Sequence, residues 1–150
     1  MKQYKSNVPE YSLKILSSDF KKVKIQSSKD SADYIRQFYS DDIGIYESFF
    51  MILLNSANNT TGWVKISQGG INGTVADPRL IAKYAIETLA SSVIIAHNHP
   101  TGNMNPSHND IELTKVINKG LKLFKVTLLD HIIIGPDKDK YYSFADESLI

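Results

Sequence analysis

Val93-Ile94-Ile95-Ala96-His97-Asn98-His99-Pro100-Thr101-Gly102-Asn103-Met104-Asn105-Pro106-Ser107-His108-Asn109-Asp110 is the stretch that decides the fold. Its opening apolar run reads as a short buried strand. Residues two apart in a strand share a face, so His97 and His99 present both imidazoles to one point. Pro100 ends the strand, because it has no N–H for a ladder and restricts the residue before it. Thr101 to Asn105 is loop chemistry around Gly102, and Pro106 suits the first turn of a following helix. That helix carries Ser107 and Asp110 three apart, on one face near its start. Two imidazoles from a strand end and a carboxylate from a helix start make a three-ligand metal site. A fourth position left to water makes it a catalytic type of site. Ser107 and Asp110 alone would read as a capping box. Beside His97 and His99 the metal reading is preferred, and the cap can coexist with it.

Working outward, the chain has 150 residues, enough for one domain with a real core. The absence of cysteine excludes disulfides, a thiol nucleophile and cysteine-ligated metal, and fits a reducing cytoplasm. A formal net charge of +1 leaves no overall electrostatic footprint for nucleic acid. No apolar run reaches membrane-spanning length and no secretory leader pattern opens the chain, so a cytoplasmic protein is expected.

Upstream, Tyr11-Ser12-Leu13-Lys14-Ile15 and Val23-Lys24-Ile25 alternate as a half-exposed strand would. Lys21, Lys22 and Lys24 read as a solvated strand face in preference to a phosphate contact. Ser27 to Asp30 offers caps for a helix bearing Ala32, Ile35 and Phe38-Tyr39. Tyr46 to Leu54 predicts a central strand, Asn58 to Gly62 a turn, and Trp63 to Ser67 the returning strand of a hairpin. Glu47 is the one carboxylate in that first strand, at its mouth. Gly69 to Val75 lacks dinucleotide or P-loop spacing and reads as a tight turn near the rim of the site. Asp77-Pro78 starts a helix running to Ala90, with Ile81, Tyr84, Ala85 and Leu89 as its apolar stripe and Glu87 facing solvent.

Downstream, the helix beginning near Pro106 runs to Leu123 with Leu113, Val116, Ile117 and Leu121 inward. His108 turns about 100° from Ser107, and Glu112 lies about 200° round from Asp110, so neither faces the site. Val126 to Ile134 predicts one long strand, or two with a kink at Asp130-His131. His131 is either a fourth ligand or proton shuttle, or a histidine hydrogen-bonded within the sheet, for instance to Asp130. Tyr141 to Phe144 reads as a last short strand.

His97-x-His99-Pro100 with its fixed offsets to Ser107 and Asp110 resembles the JAMM metalloprotease motif. His97-Asn98-His99-Pro100-Thr101-Gly102, Pro106-Ser107 and Asp130-His131-Ile132-Ile133-Ile134-Gly135 resemble the bacterial RadC-like branch, with likeness over roughly residues 45 to 146. The resemblance implies an α/β fold of the JAB/MPN (cytidine-deaminase-like) type, a mixed curved β-sheet flanked by helices. A single domain over 1–150 is expected, with strand and helix from 1–44 packed on the motif-bearing core. It implies Zn²⁺ held by His97, His99 and Asp110, with Glu47 as general base and Ser107 as hydrogen-bond donor to the oxyanion. For His131 it favours the sheet-bonded reading. The implied substrate is a peptide or isopeptide bond in an unidentified peptide or protein.

The RadC likeness also brings a DNA-repair label and a rival reading. In it the chain is a nucleic-acid-associated or metal-binding scaffold module of a repair or mobile-element system, without protease activity. Longer members of that branch carry an N-terminal helix-hairpin-helix-like region, whereas the first 45 residues here read as strand, loop and one helix. That reading and the near-neutral charge weigh against DNA as a partner.

Overall fold

The computed structural model of the protein describes residues 8–70 and 74–150. Its elements are α1 (Ser28–Arg36), β1 (Ser48–Leu54), β2 (Thr60–Gln68), α2 (Pro78–Glu87), β3 (Ser92–Asn98), α3 (His108–Lys122), β4 (Thr127–Ile134) and β5 (Tyr141–Ser143). The strands form one open, mixed five-stranded sheet in the order β2-β1-β3-β4-β5. Only β3 and β4 are parallel, and α3 supplies the crossover that a parallel pair requires. This is the α/β class that the resemblance implies, and the alternation of strand and helix patterns agrees with it.

Every residue of β1 and β3 is buried, because helices cover both faces of the sheet centre. On one face Met51, Leu53, Val93 and Ile95 pack against Ile81 and Ala85 of α2 and Ile117 and Leu121 of α3. On the other, Ile52, Leu54, Ile94 and Ala96 pack against Ala32, Tyr34 and Ile35 of α1. Alternation along β3 therefore sends His97 toward the α3 side and Asn98 toward the α1 side.

One irregularity bears directly on the site. Val93 pairs with Leu128 but Ile94 pairs with Asp130, so Leu129 is an extra residue bulged out of β4. Because side chains alternate with a period of two, the bulge reverses which residues face α3 beyond it. His131 thereby lies beside Ile95, on the same face as His97, while Asp130 turns to the opposite face. The expected kink near Asp130-His131 is this bulge, within a single strand.

Several local expectations are corrected. Tyr11 to Ile15 form no strand, and Val23 to Ile25 contribute only a single bridge between Lys24 and Asn59. Tyr11 and Ile15 are 87% and 90% exposed, so their alternation buries no face that could hold a strand in place. The hairpin turn is shorter than expected, since Thr60 to Gly62 already belong to β2. Pro106 precedes the cap instead of opening α3, whose N-cap is Ser107.

Helix α2 stops at Glu87, short of Ala90. Leu89 takes φ 53°, and the N–H groups of Leu89 and Ala90 donate to the carbonyls of Ile86 and Ala85, a left-handed C-terminal cap. Leu89 thus leaves the apolar stripe for solvent, as does Val116 on α3. Of the glycine-rich connection, residues 71–73 lie outside the described residues. No helix among the described residues is long and apolar enough to cross a membrane.

Candidate metal centre

Strand β3 and the start of α3 bring His97, His99 and Asp110 together. One ligand-type atom from each lies within 4.8 Å of the others, an arrangement that could hold a metal ion. The Nε2 atoms of His97 and His99 are 2.9 Å apart, and Asp110 places one oxygen 3.3 Å from the first and the other 3.5 Å from the second. The extended geometry continues through His99, whose backbone N–H donates to the Ile134 carbonyl at 2.8 Å. That explains why both imidazoles share a side although β3 formally ends at Asn98.

The site is closed on one flank and open on the other. The His97 side chain is 1% exposed, whereas those of His99 and Asp110 are 17% and 15% exposed. Three convergent donors with access from solvent is the pattern of a reactive centre, while structural zinc sites are closed by four ligands.

The far nitrogens of both histidines are already engaged. His99 Nδ1 lies 2.6 Å from the Asn103 carbonyl, which can only accept, so Nδ1 carries a proton and Nε2 is turned to the cluster. His97 Nδ1 lies 2.8 Å from His131 Nε2. Burial opposes charge on His99, but its hydrogen bonds to Asp110 and Asn103, with the charges of Asp110 and Glu47, outweigh it and raise its pKa. The close contact between the two Nε2 atoms needs a proton or a cation between them. A divalent cation and a proton therefore compete for the same lone pairs.

Asp110 is held ionised. Partial burial favours its neutral form, yet its contacts with His97 and His99 and the hydrogen bond from the Ser107 N–H together keep its pKa far below the ordinary carboxylate range. Ser107 and Asp110 also form the expected capping box. The Ser107 hydroxyl accepts the Asp110 N–H at 3.0 Å and the Asp110 carboxylate accepts the Ser107 N–H at 2.7 Å. The cap fixes the carboxylate that faces the histidines. Ser107 is exposed, and its oxygen is used there as an acceptor, leaving its hydroxyl proton free to serve another group.

Glu47 immediately precedes β1 and is half-buried, and its charge acts on both His99 and Tyr39. Four hydrogen bonds hold the backbone of residues 46–48. Asn98 Nδ2 donates to the Tyr46 carbonyl at 2.8 Å, and Asn98 Oδ1 accepts the Ser48 N–H at 2.7 Å. The Tyr39 hydroxyl donates to the Ser48 carbonyl at 2.7 Å, and the Gly69 N–H donates to that of Glu47 at 2.9 Å. Asn98 also donates to the Ile43 carbonyl at 2.7 Å. The residue between the two histidines thus anchors the loop that carries Glu47. The first glycine of the glycine-rich segment reaches the same loop.

The rival groups fall away from the cluster. Glu87 and His108 are exposed, and Glu112 pairs with Lys115 at 2.8 Å. The ring of His131 lies outside the three-residue cluster and is bonded to groups other than Asp130. Its ring nitrogens face His97 and the Thr114 hydroxyl, at 2.8 and 2.7 Å, while Asp130 accepts its backbone N–H. Burial, then the neighbouring His97, pushes the His131 pKa well below the ordinary imidazole range.

Asn98 and Thr114 are the participants that sequence reasoning passed over. Each had a legible signal: a polar amide inside an apolar strand must find partners, and Thr114 lies one helical turn after Asp110.

Comparison with known proteins identifies the family. Residues 25–149 match the sequence profile of the RadC-like JAB domain. A UPF0758 protein of Flavobacterium johnsoniae is 39% identical over 126 residues, covering 84% of this chain and 53% of that protein. One from Porphyromonas gingivalis is 44% identical over 104 residues, covering 69% and 45%. Another, from Fusobacterium nucleatum, is 42% identical over 120 residues, covering 79% and 51%. The chain spans about half the length of these curated relatives. With the profile matched over most of its length, the chain belongs to the RadC-like JAB domain family.

Proposed function

We propose that this chain is a zinc-dependent hydrolase that cleaves a peptide or isopeptide bond. The observation that carries this reading is the convergence of two imidazole Nε2 atoms and one ionised carboxylate at a partly exposed point. The donor set suits Zn²⁺, since imidazole and carboxylate both bind it and three protein ligands are typical of its reactive sites. When bound, Zn²⁺ supplies Lewis acidity that lowers the pKa of a water to about 7 and polarises a carbonyl.

The chain's own residues would do the rest. Glu47 takes a proton from the attacking water and passes it to the leaving amine nitrogen. Ser107 donates its hydroxyl proton in a hydrogen bond to the substrate carbonyl oxygen as negative charge builds there. His97, His99 and Asp110 hold the ion, each oriented by a hydrogen bond on its outer side.

The test is metal content by elemental analysis of protein purified without a polyhistidine tag, beside His99→Ala and Asp110→Ala. About one zinc per chain, lost in both variants, is the expected result. No zinc in the parent protein, even after zinc is offered, would overturn the reading.

A further inference from the structure

We propose that Thr114 and His131 are positioning residues that decide which nitrogen of His97 carries its proton, and so present an unprotonated Nε2 to the metal. This inference rests on the metal reading above, and deepens it.

Thr114 Oγ1 lies 2.6 Å from the Asp110 backbone carbonyl and 2.7 Å from His131 Nδ1. A hydroxyl has one proton, and a carbonyl has none to give. If Thr114 gave its proton to His131, two oxygen lone pairs would face each other at 2.6 Å. The hydroxyl therefore donates to Asp110, and His131 Nδ1 must supply the proton for its own contact with Thr114. His131 is fully buried, stacked on Phe144 at a centroid distance of 4.5 Å, and its ring nitrogens face His97 and Thr114, so a second ring proton would have no carboxylate beside it. A neutral imidazole protonated on Nδ1 has a bare Nε2. That Nε2 is 2.8 Å from His97 Nδ1, so His97 must carry its proton there. Only then does His97 Nε2 hold the lone pair that a metal needs.

The relay starts at the backbone of one ligand, Asp110, and ends by setting the tautomer of another. It also accounts for the bulge at Leu129, which turns His131 onto this face of the sheet. Outer partners of zinc-bound histidines are generally carboxylates, carbonyls or water. Here the partner is a neutral imidazole, which could accept or donate, so a further group is needed to settle its direction. Thr114 is that group.

The experiment combines tautomer assignment with metal affinity. Long-range ¹H–¹⁵N correlation spectra of the metal-free and zinc-loaded protein should show both His131 and His97 protonated on Nδ1. His131 protonated on Nε2 in the metal-free protein would overturn the relay, whatever the metal result. Zinc affinity, read by competition with a chromophoric chelator, should fall about 10–100-fold in Thr114→Val and return in Thr114→Ser, which keeps the hydroxyl. Equal affinity in the parent and Thr114→Val would overturn the relay while leaving the metal site standing. No zinc binding by the parent would sink the metal reading, and the metal-free spectrum would still decide the relay. If Thr114→Val fails to fold, His131→Gln and His131→Leu replace it. Glutamine can offer an amide oxygen to His97 and should bind zinc more tightly than leucine; equal affinities would overturn the relay.

Discussion

Asn98 Oδ1 accepts the backbone N–H of Ser48 at 2.7 Å, tying the residue between the two histidines to the residue next to Glu47. The two are 50 residues apart in sequence, yet this bond and the two that Asn98 donates to Ile43 and Tyr46 fix the loop that carries Glu47. Asn98→Ala would leave three backbone groups without this partner, in a position where Asn98 itself is 0% exposed. The expected cost is about 2–4 kcal/mol of folding stability, measured by urea unfolding. A loss under about 1 kcal/mol would show that the clamp contributes little beyond shape.

Glu47→Gln tests the proton transfer without disturbing the ligands. The amide is nearly the same size but cannot take a proton near neutral pH. Zinc content should stay at the parental level while hydrolysis of any substrate found falls by at least about 100-fold. Retained activity would assign the base to another group.

Tyr39 gives the protein an alkaline limit. Burial, helped by the charge of Glu47, raises its pKa well above the ordinary value. The folded state thus favours the protonated phenol, whereas the unfolded chain releases that proton near pH 10. Its contribution is complete below about pH 10 and is lost as pH rises through the folded value. Tyr39→Phe should cost about 1 kcal/mol at pH 8, through the lost bond to Ser48. The gap between parent and variant should then narrow above pH 10. A constant gap across that range would show an unshifted tyrosine.

Leu89 is a site where stability can be gained. It is 87% exposed and held at φ 53°, where a Cβ is unfavourable. Leu89→Gly should relieve about 1–2 kcal/mol of strain and return about half of it as unfolded-chain entropy. The net gain of about 0.5–1 kcal/mol would appear as a higher thermal midpoint. A lower midpoint would mean that the exposed leucine makes contacts worth more than its strain.

The sequence by itself determined which residues are the candidate ligands. His97 and His99 two apart at a strand end, then Ser107 and Asp110 three apart at a helix start, are local relationships. Strand alternation and helical spacing suffice to read them, and the structure has the α/β class that the resemblance they carry implied. Local reading failed where pattern was present without burial. Tyr11 to Ile15 alternate with nothing to cover them, and Leu89 and Val116 sit at apolar positions that the helix ends and turns leave in solvent.

Only the tertiary structure decided how the reactive groups are held. The Leu129 bulge chooses the face on which His131 lies, and it depends on the pairing of β4 with β3, not on residues 127–134 alone. The contact of His131 with His97 spans 34 residues, and that of Asn98 with Ser48 spans 50. Such bonds form because buried polar groups must be satisfied by whatever the packed elements bring within reach. The sequence shows that a partner is required; the fold decides which residue it is.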